Sequence, residues 1–184
     1  MDPRIDEVIE FWFGIPPEKW FEKDPAFDDE IRQRFGALQA EAASGVHDTW
    51  RGTPRGDLAL LVLLDQFPRN MFRGDAKSFA TDAKALAIAE TMSREGLTPL
   101  QLMVTYIPYQ HAEDLAMQNK GIAAYEQIAA ANPDMKMLAG ALDFAKKHRD
   151  IIARFGRFPH RNAIVGREST PEELEFLKQP GSSF

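Results

Sequence analysis

Apolar residues recur at intervals of three and four along nearly the whole chain, and no stretch shows strand-like alternation, so the pattern predicts an all-α protein. Ile5, Val8, Ile9, Trp12 and Phe13 mark a first helix over residues 3 to 13, and the Trp20-Phe21 pair beyond it is expected to plug the core from a loop. A second helix, from Pro25 to a stop at Gly45, sets Phe27, Ile31, Phe35, Leu38 and Ala42 on one stripe with charges opposite, which predicts one buried face. The third, from Pro54, is apolar on every side between Leu58 and Leu64. That predicts burial all round, with Pro68 ending the helix at Phe67. A fourth, over residues 75 to 95, places Phe79, Ala83, Leu86 and Ala87 inward. A fifth starts at Pro99, carries Leu100, Met103, Val104 and Ile107, and is broken or kinked at Pro108. A sixth spans 111 to 131, a seventh 133 to 155 with Gly156 as its stop, and a short last one 171 to 178. The expected organisation is a single domain of about eight helices over residues 1–178, with a loose tail at 179–184.

Prolines sharpen these boundaries. Of the twelve, six follow a residue able to cap a helix: Asp2-Pro3, Asp24-Pro25, Thr53-Pro54, Thr98-Pro99, Asn132-Pro133 and Thr170-Pro171. A side-chain oxygen at the N-cap accepts from an orphan N–H, and a proline at the first helical position gives up an N–H that had no partner. Thr98 with Gln101, and Thr170 with Glu173, have the spacing of a capping box.

Composition narrows the class. A net charge of −6 over 184 residues argues against a general nucleic-acid or membrane-surface binder. The acidic start does not read as a secretory signal, and no apolar run approaches the roughly 20 residues of a membrane span. With no cysteine there is neither a disulfide framework nor a thiolate nucleophile. The expectation is a soluble cytoplasmic protein without cofactor. Charge is unevenly spread, however. Residues 144 to 167 carry +6 and the remaining residues −12.

That basic stretch ends in Arg154-Phe-Gly-Arg-Phe-Pro-His-Arg-Asn162, which mixes guanidinium groups and His160 with Phe155 and Phe158, too polar for a core and too apolar for a solvated loop. Phe158-Pro159-His160-Arg161-Asn162, with Arg167 beyond, echoes Phe67-Pro68-Arg69-Asn70, with Arg73 beyond, and both follow a long apolar helix. Two such elbows could wall one pocket. His148 falls in the apolar stripe Ala141, Phe144, Ile151, Phe155 of the seventh helix, and His111, Asp114 and Gln118 interrupt the stripe of the sixth, with Glu113 about a quarter-turn away. Burying such groups unpaired costs about 1–3 kcal/mol each, so either a network or a ligand must satisfy them. The candidate acid/base groups are His111, Glu113, Asp114, His148 and His160. The candidate ligand-binding groups are Asp65, Gln66, Arg69, Asn70, Arg73, Gln118, Arg157, Arg161, Asn162 and Arg167, because guanidinium forks hold carboxylate and phosphate bidentately. The same arginines could instead pair with the chain's own acids and tie helix ends together. No HxxxH or HExxH spacing suggests a metal, and no phosphate loop, nucleophile elbow or dinucleotide fingerprint is present.

Asp65-Gln-Phe-Pro-Arg-Asn70, His111-Ala-Glu-Asp114 and Arg154 to Asn162, with Phe11-Trp-Phe13 and Gly166 to Glu173, resemble a widespread bacterial family of unknown function. Ala112 stands where that family commonly has serine, which argues against a hydroxyl role there. The resemblance implies an α-α superhelical fold similar to tetratricopeptide-repeat proteins, and names no substrate. Two readings stay open: a polar pocket for a small anion, with or without acid/base chemistry, and a helical module for a protein or peptide partner. Homodimerisation through the amino-terminal helices is compatible with either.

Overall fold

The computed structural model describes residues 2–183, and among them there are helices and turns but no strand. The chain divides into two compact units, one of residues up to 73 with 77–108, the other of residues 74–76 with those from 109 on.

In the first unit the helices are α1 (Pro3–Phe13), α2 (Pro25–Ser44), α3 (Pro54–Leu61), α4 (Phe67–Met71), α5 (Asp82–Thr91) and α6 (Pro99–Thr105). The caps are the expected ones: Asp2, Asp24, Thr53 and Thr98 each accept from a first-turn N–H, and Thr98 closes a full capping box with Gln101. Gly56 sits where a Cβ would lie 2.0 Å from the Trp50 carbonyl oxygen, so only glycine lets the chain enter α3. Every side chain from Leu58 to Leu64 is buried, and this rod packs against α1, α2, α5 and α6.

The rod does not stop at Pro68. Residues Val62–Gln66 form one widened turn, in which Phe67 N–H donates to Val62 O five residues back, and α4 then carries the helix on to Met71. Proline removes one rung from the ladder, and side chains supply donors below it: Thr81 Oγ1 to Leu64 O (2.5 Å) and Arg69 Nη1 to Asp65 O (2.7 Å). The region expected as one helix over 75–95 is a short turn at Ala76–Phe79 followed by α5, with Ala85, Ile88 and Ala89 buried, while Ala83 and Ala87 face solvent. Trp20 plugs the core as expected, donating from Nε1 to Trp12 O (2.9 Å), but its neighbour Phe21 is exposed.

The helix after α6 breaks at Tyr106, ahead of Pro108, and α7 (Ile107–His111) follows. In the second unit α8 (Leu115–Ala131) and α9 (Lys136–Phe155) pack as a helical hairpin. Asn132-Pro133 does not start α9; Asn132 closes α8 with Nδ2 donating to Ile128 O. Gly156, at φ +68°, ends α9 in the left-handed conformation. The chain then turns through Pro159–Arg161 and reaches α10 (Pro171–Phe176), whose Phe176 packs on Phe155. Residues 179–183 fold back on α10 through Ser182 Oγ to Leu177 O (3.1 Å); Phe184, the end of the tail expected to be loose, lies outside the described residues.

Candidate functional site

Gly156 turns the chain so that Phe158 is driven fully into the core of the second unit beside Ile151 and Ile152. Its ring becomes a hub. His148 from α9 meets it edge-on at 5.6 Å, His160 lies at 5.6 Å, and the Arg161 guanidinium carbon sits 4.5 Å from its centroid. His111, at the end of α7, stands 6.3 Å ring to ring from His148. Three histidines and an arginine from three separate stretches of chain therefore share one neighbourhood.

Their ionisation follows from burial. His148 is buried and hydrogen-bonds Phe144 O through Nδ1 (2.8 Å), which makes Nδ1 the protonated nitrogen of the neutral ring. Burial pulls its pKa down to about 3, and the charges of His111, Arg161 and His160 push the same way. His160 is lowered to about 4, first by burial and then by Arg161, with Glu113 opposing. Both imidazoles are neutral at pH 7 in a positive local field.

Other predicted residues of this unit are wired to carboxylates. Arg167 grips Glu113 bidentately (2.6 and 2.8 Å), and Phe158 N–H donates to the same carboxylate (2.8 Å). Burial raises the Glu113 pKa, but these bonds outweigh it and hold the group below the usual value. Arg157 grips Glu173 (2.7 and 2.8 Å), which also accepts from Asn162 Nδ2 (3.2 Å) and Thr170 N–H (2.8 Å). Chiefly through Arg157, Glu173 is held down to about 2. Gln118 Nε2 donates to Gln110 O (2.6 Å) and Ala112 O (2.8 Å), and Gln110 Nε2 to the Tyr125 hydroxyl (2.5 Å), so Gln118 braces the corner between α7 and α8. Asp114 lies outside the buried stripe: the helix breaks after His111, and Asp114 caps α8 by accepting from Met117 N–H (3.0 Å). The spacing expected to let Asp114 orient His111 along one helix does not form. Phe144, expected inward, is half exposed.

The first elbow belongs to the first unit and is internally wired. Arg69 clasps Asp82 (3.0 and 2.9 Å), with the buried Asp65 carboxylate 3.5 Å away; Gln66 Nε2 donates to Asp65 (2.5 Å). Asn70 Nδ2 (2.8 Å) and Arg73 Nε (2.5 Å) both donate to the buried Asp28. The two elbows echo each other in sequence but not in backbone, one being a widened helix and the other a turn after a left-handed glycine.

A cleft of about 430 Å³ in the first unit is lined by Glu10, Phe11, Pro16, Lys19, Phe27 and Arg34 among others, none of them a predicted site residue. The Phe11 ring there is covered by the Arg34 guanidinium (4.5 Å) and packed against Phe27 (5.8 Å), so that ring offers little to a ligand. Among the described residues no group of three or more His, Asp and Glu is placed to hold a metal ion, and no helix is long and apolar enough to cross a membrane.

Sequence reasoning missed Phe158 as the hub and Asp28, Asp82 and Glu173 as the acceptors of the arginines. The capping-box spacing marked Glu173 as a helix-start residue, and that spacing is present, but its second use by Arg157 carries no local signal.

Comparison with curated proteins gives no match. A solved structure of a protein of unknown function from Agrobacterium tumefaciens is similar, with 39% sequence identity, a TM-score of 0.85, and coverage of 96% of this chain and 97% of the other. The sequence pattern of a bacterial family of unknown function, DUF924, matches residues 8–181, and the chain belongs to that family.

Proposed function

We propose that this protein binds a small anion, a phosphate or carboxylate, in its second unit among His111, His148, His160 and Arg161. The observation that carries the reading is the gathering of His148, His160 and Arg161 about Phe158, with His111 of α7 ring to ring against His148. A guanidinium fork supplies parallel donors for an oxyanion and a neutral imidazole supplies one N–H; that of His148 is given to Phe144 O, so in this reading Arg161, His111 and His160 donate to the anion and His148 packs beside it. Arg157 and Arg167, which are committed to Glu173 and Glu113, frame this set. With a pKa near 3, His148 is a weak base at neutral pH, so the arrangement supports binding ahead of catalysis.

Histidine side-chain NMR during titration with orthophosphate and with acetate tests the reading. Saturable shifts of the His111, His148 and His160 ring signals, absent for His47 in the first unit, are the expected result. Unmoved ring signals at tens of millimolar anion would end it.

A further inference from the structure

Two arginine–glutamate forks stand in the second unit, and they differ in what else depends on the carboxylate. Glu173 is buried, completes the capping box of α10 and accepts from Arg157, Asn162 and Thr170, so the start of a helix is built on it. Glu113 holds no helix end. It lies in the break between α7 and α8, where its neighbour Asp114 makes the cap, and its side chain keeps 26% of its surface in water. A carboxylate so placed leaves its donors for solvent at lower cost than a buried one.

The donors that Glu113 engages make an oxyanion cradle. Arg167 Nη1 and Nη2 reach its two oxygens at 2.6 and 2.8 Å, and Phe158 N–H reaches one of them at 2.8 Å. A guanidinium fork with a main-chain N–H beside it suits carboxylate and phosphate alike. Glu113 does not exhaust these donors: Arg167 Nε–H is buried and meets no acceptor among the described residues. The cradle and the histidine cluster share one residue. Phe158 gives its N–H to Glu113 while its ring lies against His148, His160 and Arg161. Charge couples the two sides: the pKa of His160, lowered first by burial and then by Arg161, is raised by Glu113 and lowered by Arg167.

Resting on the anion reading above, we infer that Arg167 and the Phe158 N–H are the second half of the anion site, and that Glu113 is an internal anion that covers them until a ligand displaces it. An entering phosphate or carboxylate takes over the fork, and Glu113 turns to water on its loop. The ion pair given up in the exchange holds wild-type affinity below what the donors alone would give.

The test is an orthophosphate titration of the full chain, wild type and Glu113→Gln, followed by calorimetry and by the NMR signals of Arg167 Nε–H and the Phe158 amide. In wild type both signals should shift with the same midpoint as the histidine rings. Glu113→Gln keeps the shape but removes the competing charge, and should raise affinity about tenfold or more, the worth of a hydrogen bond to a charged group. Adding Arg167→Gln should cancel that gain. Should Glu113→Gln not fold, the wild-type signals decide alone. Histidine rings that titrate while the Arg167 and Phe158 signals stay still, or a Glu113→Gln protein that binds no tighter, would make Glu113 a structural tie, overturning the inference and leaving the anion reading standing. Failure of orthophosphate to bind at all overturns both.

Discussion

A histidine buried as neutral imidazole stores an acid sensitivity. The folded pKa values of His148 and His160, about 3 and 4, lie below the value of about 6.5 for an unfolded chain, so between those limits the unfolded state binds more protons. Stability is therefore complete above about pH 6.5 and falls as pH drops toward 4. The slope approaches 1.4 kcal/mol per pH unit for each histidine. Urea unfolding at pH 7, 6 and 5 should show nearly two protons taken up per molecule at the low end, falling by one in His148→Gln. A flat profile over that range would mean the imidazoles are not shielded as the packing indicates. His148 itself was legible, because its place in an apolar stripe follows from spacing alone. The role of Phe158 was not: nothing in a local sequence tells that His148 of a separate helix will meet the ring that His160 and Arg161 flank.

Elements were easier to read where a single residue fixes them. Asp2, Asp24, Thr53, Thr98 and Thr170 cap where the proline after each says they should, since the cap bond and the proline are local chemistry. Asn132-Pro133 misled because the same dipeptide serves a turn, and the helix expected from His111 starts instead after Asp114, a cap that no proline marks. Pro68 misled for a more instructive reason. It removes one hydrogen bond from the rod without ending it, because Thr81 and Arg69 come from other positions to serve the carbonyls of Leu64 and Asp65. Replacing Thr81 by valine should cost about 1 kcal/mol in thermal or urea unfolding, the worth of one buried bond. In a Pro68→Ala background, where a backbone N–H returns, the cost should shrink. Equal costs in both backgrounds would show that Thr81 and the proline are not coupled.

At the scale of the whole molecule the charge map was legible and its wiring was not. The excess of +6 in residues 144 to 167 is met mostly by acids outside that segment: Arg154 pairs with Glu172, Arg157 with Glu173, Arg167 with Glu113, and Lys146 with Glu126. Such pairings join residues up to 54 positions apart, a distance over which spacing rules carry no information. Glu173 is the strictest of these tests, because it is buried and accepts from Arg157, Asn162 and Thr170 together. Glu173→Gln keeps the shape but leaves a guanidinium facing a neutral amide, which should destabilise the protein by about 2–3 kcal/mol at pH 7. The folded pKa of about 2 lies below the ordinary carboxylate value, so the wild-type carboxylate stabilises the fold fully above about pH 4.5 and loses that contribution as pH falls toward 2. The gap between wild type and Glu173→Gln should thus be constant from pH 7 to 5 and close below pH 4.5. A gap that stays open in acid would place the cost of the substitution in packing and not in the ion pair, and Arg157 would then be held by its bond to Glu168 O and not by charge.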